Sequence, residues 1–542
     1  MRRKSGQVVE EPARRTTSIG RATGSMAIAG LASKLTGFAR NLVIAWVLGL
    51  SMAADAYNAA NTLPNQVYEL LVGGVLTSVL VPVLVRAHHD DEDGGVAYTQ
   101  RLLTMTSVVL LVITVLAVLA APALTALVVD NSTGRANPAL TTAFAYLLLP
   151  QILFYGVSAL LTAVLNARHV FGVTVWAPVL NNIVLLLTFG IYPLLPGQLT
   201  LNPVHMNNAQ LLELGIGSTV GVVIQAIVLL PALTRSGFRW RPRWGWDRRF
   251  TEFGRLAAWT IGYALLAQIG VVVVTNIATA NGGLAIYNNV WLLVQLPYGV
   301  LGFALITAIL PRMSRAAAEG RIPAIKQDLS LASRVCATAM LPMSALMTVL
   351  GPSLGVALFS IGQSRADAGK LGIALAVAAF GVLPYTITLL QLRVFYAMKD
   401  ARTPTLIMVG MMMVKVSLSL LAPLVLGSDN AIYGLTFANS ASFALGWIAG
   451  EVCLRKRLGD LGSKRVVVTL VRGLLAALAA AAAALLVRLP LPSGPLGAWL
   501  SLIFGGFLGL LAAGIVLAWL RSPEQQAIAR RIGRILLRLQ RR

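Results

Sequence analysis

Ser33-Lys-Leu-Thr-Gly-Phe-Ala-Arg40-Asn41-Leu-Val-Ile-Ala-Trp46 is an apolar, helix-forming run that carries two cations. After a short predicted loop, Ser51-Met-Ala-Ala-Asp55-Ala-Tyr57, the chain returns as a second apolar run holding Asn65, Gln66, Tyr68 and Glu69. A charge at membrane depth costs roughly 2.5–3.5 kcal/mol on insertion scales, so it faces a bundle interior or a wet cavity. Lys34 and Arg40 on one membrane helix therefore point to a large anionic ligand. At about 100° per residue, Lys34 and Asn41 share a stripe, with Gly37 between them. Arg40 points about 120° away, so its long stem or a bend at Gly37 must bring the guanidinium to the same cavity. The purely structural alternative is that both cations snorkel to an interface or pair with Asp55 and Glu69.

Composition sets the class. The 542 residues are 57% hydrophobic and 12% charged, with a mean hydropathy of +0.76. That balance excludes a soluble domain and gives an all-α polytopic membrane protein. The net charge of +24 does not indicate nucleic acid, because the basic residues sit between the apolar runs. Cys336 and Cys453 lie in or near apolar runs and form no disulfide framework or metal motif. The N-terminal run has no small-residue cleavage site after a short apolar core, so it reads as an uncleaved first span.

Fourteen transmembrane helices are predicted: about 25–49, 60–85, 102–126, 140–166, 172–193, 211–234, 253–278, 285–310, 331–351, 372–396, 404–426, 431–454, 466–487 and 496–520. Placing both termini and the even-numbered connections in the cytoplasm gives those segments about 36 of the 44 Lys and Arg residues. The opposite loops keep Arg135, Arg365, Lys370 and Arg488. This bias fixes the orientation of the chain across its membrane. The loop Arg239-Trp-Arg-Pro-Arg-Trp-Gly-Trp-Asp-Arg-Arg249 suits acidic lipid headgroups.

The sequence repeats. Pro150 leads to Ala167-Arg168 as Pro384 leads to Ala401-Arg402, and Leu63-Pro64 to Val81-Pro82 as Leu296-Pro297 to Leu310-Pro311. Both matches are six spans apart, so the halves run parallel, related by an axis along the membrane normal. The expected architecture is two six-helix lobes around a central cavity plus two extra helices. The divisions are a basic N-terminus (1–24), an N-lobe (25–235), a C-lobe (236–456), the two extra helices (457–520) and a basic amphipathic tail (521–542).

Catalytic signatures are missing from the sequence: no nucleotide loop, no Ser–His–Asp order, no CxxC. His88-His-Asp-Asp-Glu-Asp93 reads as a solvated loop rather than a metal site. No enzyme activity, cofactor or metal is expected. Polar span residues such as Asn181, Asn182, Gln225, Asn288, Asn289, Gln295 and Gln391 serve as interhelical glue, or hydrogen-bond a sugar headgroup where they reach the cavity.

The order Ser33-Lys-Leu-Thr-Gly-Phe-Ala-Arg40, Asp55-Ala, Leu63-Pro-Asn65 and Val81-Pro82 resembles the opening of the MurJ/MviN family. Trp176-Ala-Pro-Val-Leu-Asn-Asn182, Gln295-Leu-Pro-Tyr-Gly-Val-Leu-Gly302 and Phe395-Tyr-Ala-Met-Lys-Asp-Ala-Arg-Thr-Pro404 extend the likeness over about residues 20–520. Phe144-Ala-Tyr-Leu-Leu-Leu-Pro-Gln151 and Leu390-Gln-Leu-Arg-Val-Phe-Tyr396 look most like an actinobacterial branch. The family comprises lipid II flippases of the superfamily that holds the MATE exporters. The resemblance implies two lobes with alternating access and a cavity for the diphosphate of undecaprenyl-linked peptidoglycan precursor. It also implies a lipid-tail groove on the last two helices. Arg40 matches an essential cavity arginine, Lys34 stands where the family often has arginine, and Asp55 matches an important aspartate. Tyr68 and Leu292 occupy positions where further family arginines stand. The sodium site of some members, built on carboxylates of the second lobe, is not expected here.

The resulting expectation is a lipid II flippase with Arg40 and Lys34 on the diphosphate. Asn41, Asp55, Asn65, Tyr68, Glu69, Asn288 and Gln295 supply cavity or gating polarity. Partners are the lipid-linked precursor and anionic membrane lipids, with no nucleic acid. The rival readings are a polysaccharide or drug exporter of the same superfamily, and a non-transporting scaffold for cell-wall or division proteins.

Overall fold

The computed structural model describes residues 13–69, 90–168, 170–196, 203–245, 268–302, 312–317, 319–398 and 402–520, with a few single positions between them. Every regular element among them is helical. Among the described residues, eight helices are long and apolar enough to cross a membrane, nine if one bent pair counts as a span. The second half of the expected second span, the start of the seventh, the histidine pair and the C-terminal tail lie outside the described residues.

The helices correct several expected boundaries. The first runs from Ala13 to Leu48, well before residue 25. Neither proline nor a β-branched run interrupts it, so the hydrogen-bond ladder continues into the polar N-terminal turns. The predicted loop 51–57 is largely helix: Met52–Glu69 begins directly after a turn at Gly49 and Leu50. Asp55 stands in that helix's first turn, where a carboxylate is favoured by the helix dipole. The ninth span extends to a 38-residue helix, Ile322–Phe359, despite Pro342 and Pro352 inside it. The fourth span is not one helix: Pro138–Leu148 and Gln151–Ala167 meet at 40°. Pro150 supplies the break, because it cannot donate to the carbonyl four residues back. In the second half of the chain, Ala368–Ala378 gives way to a tight turn at Ala379–Gly381 before Val382–Ala397, with Pro384 just inside. The repeat read in the sequence therefore places proline at a helix discontinuity in both halves.

The chain divides into two compact units. The first holds the described residues within 1–43, 60–122 and 142–262; the second holds those within 44–59, 123–141 and 263–542. In the first unit, Gly172–Ile191 packs on Ala209–Ile227, and Val96–Leu119 on Gln151–Ala167. Tyr98, Leu103, Leu161, Leu165 and Phe238 form its core. Asp93, in the acidic run, caps the third span by accepting from Gly95 N–H (3.0 Å) and Ala97 N–H (2.7 Å).

In the second unit, Ile322–Phe359 packs on Ser463–Arg488, and Arg402–Leu426 on Ala431–Leu458. The hairpin of the last two spans docks through small residues. Ala476, Ala480 and Ala484, one helical turn apart, are buried against Leu346, Leu350 and Ala513. Close helix approach through alanine is how membrane helices gain packing when lipid offers no hydrophobic drive. Leu474, Leu475, Leu478, Leu485 and Leu486 on the other faces are exposed, as lipid-facing residues should be. One close approach requires glycine: Gly362 has φ +63°, and a Cβ there would overlap the Trp46 carbonyl oxygen. Trp46 Nε1 in turn donates to the Leu358 carbonyl (2.7 Å).

Candidate functional site

The strongest site candidate lies in the first unit. Arg40 Nε and Nη2 both donate to Asn41 Oδ1 (3.3 Å each), and Nη1 donates to Asn182 Oδ1 (3.2 Å). Asn182 Nδ2 returns two hydrogen bonds to the first helix, to Ser33 O (3.2 Å) and Thr36 Oγ1 (3.1 Å). Thr36 Oγ1 donates to Ala32 O (2.8 Å). Gly37 keeps this junction open: a Cβ there would sit 3.5 Å from Asn182 Nδ2. The guanidinium is thus aimed by two neutral amides. Among the described residues, no carboxylate forms an ion pair with Arg40. A half-buried arginine oriented by amides leaves part of its planar fork for an anion.

The structure thus joins Arg40 and Asn41, neighbours that helix geometry alone sets about 100° apart. Lys34 lies exposed on the same helix. Asn65 is half-buried on the second helix, and the side chains of Tyr68 and Glu69 lie outside the described ones. Asn182 was legible only as one polar span residue among many. Its role depends on a contact spanning 142 positions, and the only local signal was its place in Trp176-Ala-Pro-Val-Leu-Asn-Asn182.

A second set of these residues gathers in the second unit. Asp55 is 3% exposed. Its Oδ1 accepts from Ala285 N–H at 2.6 Å, in the first turn of Leu284–Pro297. An aspartate from another helix thus supplies the cap that Gly283 cannot. Asn289 Nδ2 donates to Ala285 O (2.9 Å). Asn288, Leu292 and Gln295 are half-buried on the same helix. Gln295 Oε1 accepts from Tyr385 OH at 3.5 Å. Tyr385 packs edge-on against Trp291 (5.1 Å), Tyr298 (5.0 Å) and Phe443 (4.9 Å). Such rings offer flat apolar faces beside polar tips.

One cation sits near this helix. Lys415 Nζ lies 5.7 Å from the centroid of the Tyr287 ring. Lys415 belongs to the apolar helix Arg402–Leu426, and among the described residues it has no ion pair with a carboxylate. An intramembrane ammonium over an aromatic face is partly compensated by the ring quadrupole.

A model of the family described as lipid II flippase MurJ matches residues 44–502. The chain is 29% identical over 403 residues to a probable lipid II flippase MurJ of Rhizobium meliloti (strain 1021), covering 72% of this chain and 73% of that protein. It is 26% identical over 398 residues to the lipid II flippase MurJ of Burkholderia cenocepacia, covering 71% and 74%. Among solved structures it superposes on a lipid II flippase MurJ in an inward closed conformation with a TM-score of 0.72 at 16% identity, over 91% of this chain and 99% of that one. It also superposes on an inward-facing multidrug resistance MATE family transporter of the MOP superfamily, with a TM-score of 0.62 at 15% identity, over 81% and 99%. The two structural likenesses establish the fold, and the family match over more than four fifths of the sequence settles the kinship: this chain belongs to the MurJ family.

Proposed function

We propose that this protein flips lipid II, the undecaprenyl-linked peptidoglycan precursor, from the inner to the outer leaflet of the bacterial cytoplasmic membrane. The observation that carries the reading is Arg40: an intramembrane guanidinium held by Asn41 and Asn182, with no carboxylate neutralising it among the described residues. A bare diphosphate cannot cross hydrocarbon, so the protein must provide compensating charge along the path. Arg40 and Lys34 hold the diphosphate from the first unit. Lys415 supplies cationic charge on the second, where Leu292 replaces a family arginine. Polar and aromatic side chains at Asn288, Gln295 and Tyr385 suit a sugar headgroup, whose hydroxyls need donors and whose ring faces stack on aromatics. The polyprenyl tail stays in lipid throughout. Both termini lie in the cytoplasm, and alternating exposure of the site moves the headgroup outward.

The test is exposure of lipid II at the outer face. The protein is depleted in its host, and wild type or Arg40→Ala is supplied. A toxin that cleaves lipid II is then added from outside. Cleavage should fall on depletion, recover with wild type and stay low with Arg40→Ala. Unchanged cleavage with Arg40→Ala at wild-type protein level would overturn the proposal.

A further inference from the structure

A cavity of about 320 Å³ opens where the hairpin of the last two spans meets the C-terminal half of Ile322–Phe359. It lies wholly within the second unit and includes none of the site residues above. Its polar lining is Arg488 with Ser353, Ser493 and Ser501, and no acidic residue contributes. Pro352 and the Pro492-Ser-Gly-Pro495 turn supply stiff walls. Gly494 holds φ +117°, which lets the chain reverse into the next helix.

Arg488 is fixed rather than loose. Its Nη1 donates to the Val349 carbonyl at 2.9 Å. One hydrogen bond uses one of five guanidinium N–H donors. Ser353 and Ser501 are buried, at 6% and 2% exposure. The Ser501 hydroxyl donates to the Gly497 carbonyl (2.7 Å), so the cavity presents one immobilised cation and the hydroxyl donors of Ser353 and Ser493, a set matched to phosphate oxygens.

The surroundings define what carries that phosphate. Leu489 and Leu496 flank the opening, each 71% exposed, and Trp499 is 44% exposed. An apolar rim with a tryptophan marks the boundary between headgroups and acyl chains. Ser463–Arg488 is 26 residues long, about 39 Å at 1.5 Å per residue, enough to span a bilayer. Lys464 and Arg465 stand at its other end. The cavity thus opens at the membrane face opposite the basic end of that helix.

We infer that this cavity binds the phosphate of a lipid headgroup, with Arg488 as its anchor and the leucine rim against the acyl chains. The inference is independent of the flipping site. The full chain, purified in detergent and stripped of lipid, is offered phosphatidylglycerol or diacylglycerol and weighed by native mass spectrometry. Wild type should retain phosphatidylglycerol over diacylglycerol, and Arg488→Gln should weaken retention about tenfold, the loss of about 1.4 kcal/mol. Ser493→Glu leaves Arg488 in place and puts a negative charge on an exposed lining residue, so it should weaken retention with an unchanged melting temperature. It keeps the test sound if Arg488→Gln folds poorly. Competition with undecaprenyl diphosphate separates the sources: displacement assigns the cavity to the diphosphate of a polyprenyl lipid, and no displacement to a bulk phospholipid. Equal retention of the two glycerolipids, or retention unaffected by both substitutions, overturns the inference.

Discussion

At the scale of single residues, the proposed mechanism rests on a charge that no described carboxylate neutralises. Asn182 holds Arg40 with one amide oxygen and the first helix with its nitrogen, so it aims the cation without pairing it. Asn182→Ala removes a hydrogen bond to a charged group, worth about 1.5–3 kcal/mol. Outer-leaflet lipid II should drop roughly tenfold or more on that substitution. Asn182→Asp is the sharper test. It preserves shape and one acceptor, but its carboxylate would pair with Arg40 and compete with the substrate's phosphates. The expected outcome is an inactive protein of normal melting temperature; full activity would show that Arg40 does not meet an anion. Asp55 has a different task. Asp55→Ala uncaps Leu284–Pro297 and should destabilise the protein by about 1 kcal/mol, read as a lower melting temperature. How far these roles were legible follows the range of the interactions. An arginine inside an apolar run announces itself, because burial cost alone makes it exceptional. Its amide partner, on a helix 142 positions later, and the cap that Asp55 makes on Ala285, 230 positions away, are set by tertiary packing that no local pattern encodes.

At the scale of elements, the helices follow their apolar runs and the ends follow their caps. Asp400 shows how a connection is pinned. Its Oδ1 accepts from Arg402 N–H (3.0 Å) and Thr403 N–H (3.1 Å), opening the helix Arg402–Leu426, and its Oδ2 accepts from Arg457. Burial alone would raise the Asp400 carboxyl, but the Thr403 hydrogen bonds and the Arg457 guanidinium together hold it below its ordinary value of 3.8. A depressed carboxyl stabilises the fold above its unfolded value and loses that contribution as pH falls through the folded one. Asp400→Ala should therefore cost about 1 kcal/mol at neutral pH. The gap from wild type should shrink as thermal unfolding is followed below about pH 4. A gap independent of pH would mean that the carboxylate's charge contributes nothing. The bent fourth span was only half legible. Pro150 was visible as a repeat marker, yet the run 140–166 is apolar on both sides of it, and hydropathy does not report direction. The same blindness hid the N-terminal turns of Ile322–Phe359, where Lys326, Gln327 and Asp328 fall outside any apolar window while the hydrogen-bond ladder continues through them.

At the scale of the whole molecule, composition decided the class because a chain 57% hydrophobic has too little polar surface for water. The parallel repeat was legible because proline positions survive where helices must break. The division of the chain was not legible in this way: residues 44–59 and 123–141 group with the second unit, an outcome of contacts rather than of sequence order. Orientation remains a sequence argument resting on the basic loops, and it carries a kinetic consequence. Ala431–Leu458 is 28 residues long, about 42 Å at 1.5 Å per residue, so its ends lie on opposite membrane faces. Asn430 precedes it and Lys456 lies in its last turn, both exposed. With Cys336 and Cys453 replaced by serine, Asn430→Cys should react with an impermeant maleimide in intact cells, and Lys456→Cys only after permeabilisation. With that orientation, the outside-positive potential favours outward movement of a negative headgroup by roughly 2.3 kcal/mol per charge per 100 mV. Collapsing the potential with an ionophore should then slow the appearance of outer-leaflet lipid II while leaving its synthesis inside untouched. Labelling in the reverse order would invert the sign of that driving force: collapse would then have to speed the step, and positive-inside counting would have failed for this chain.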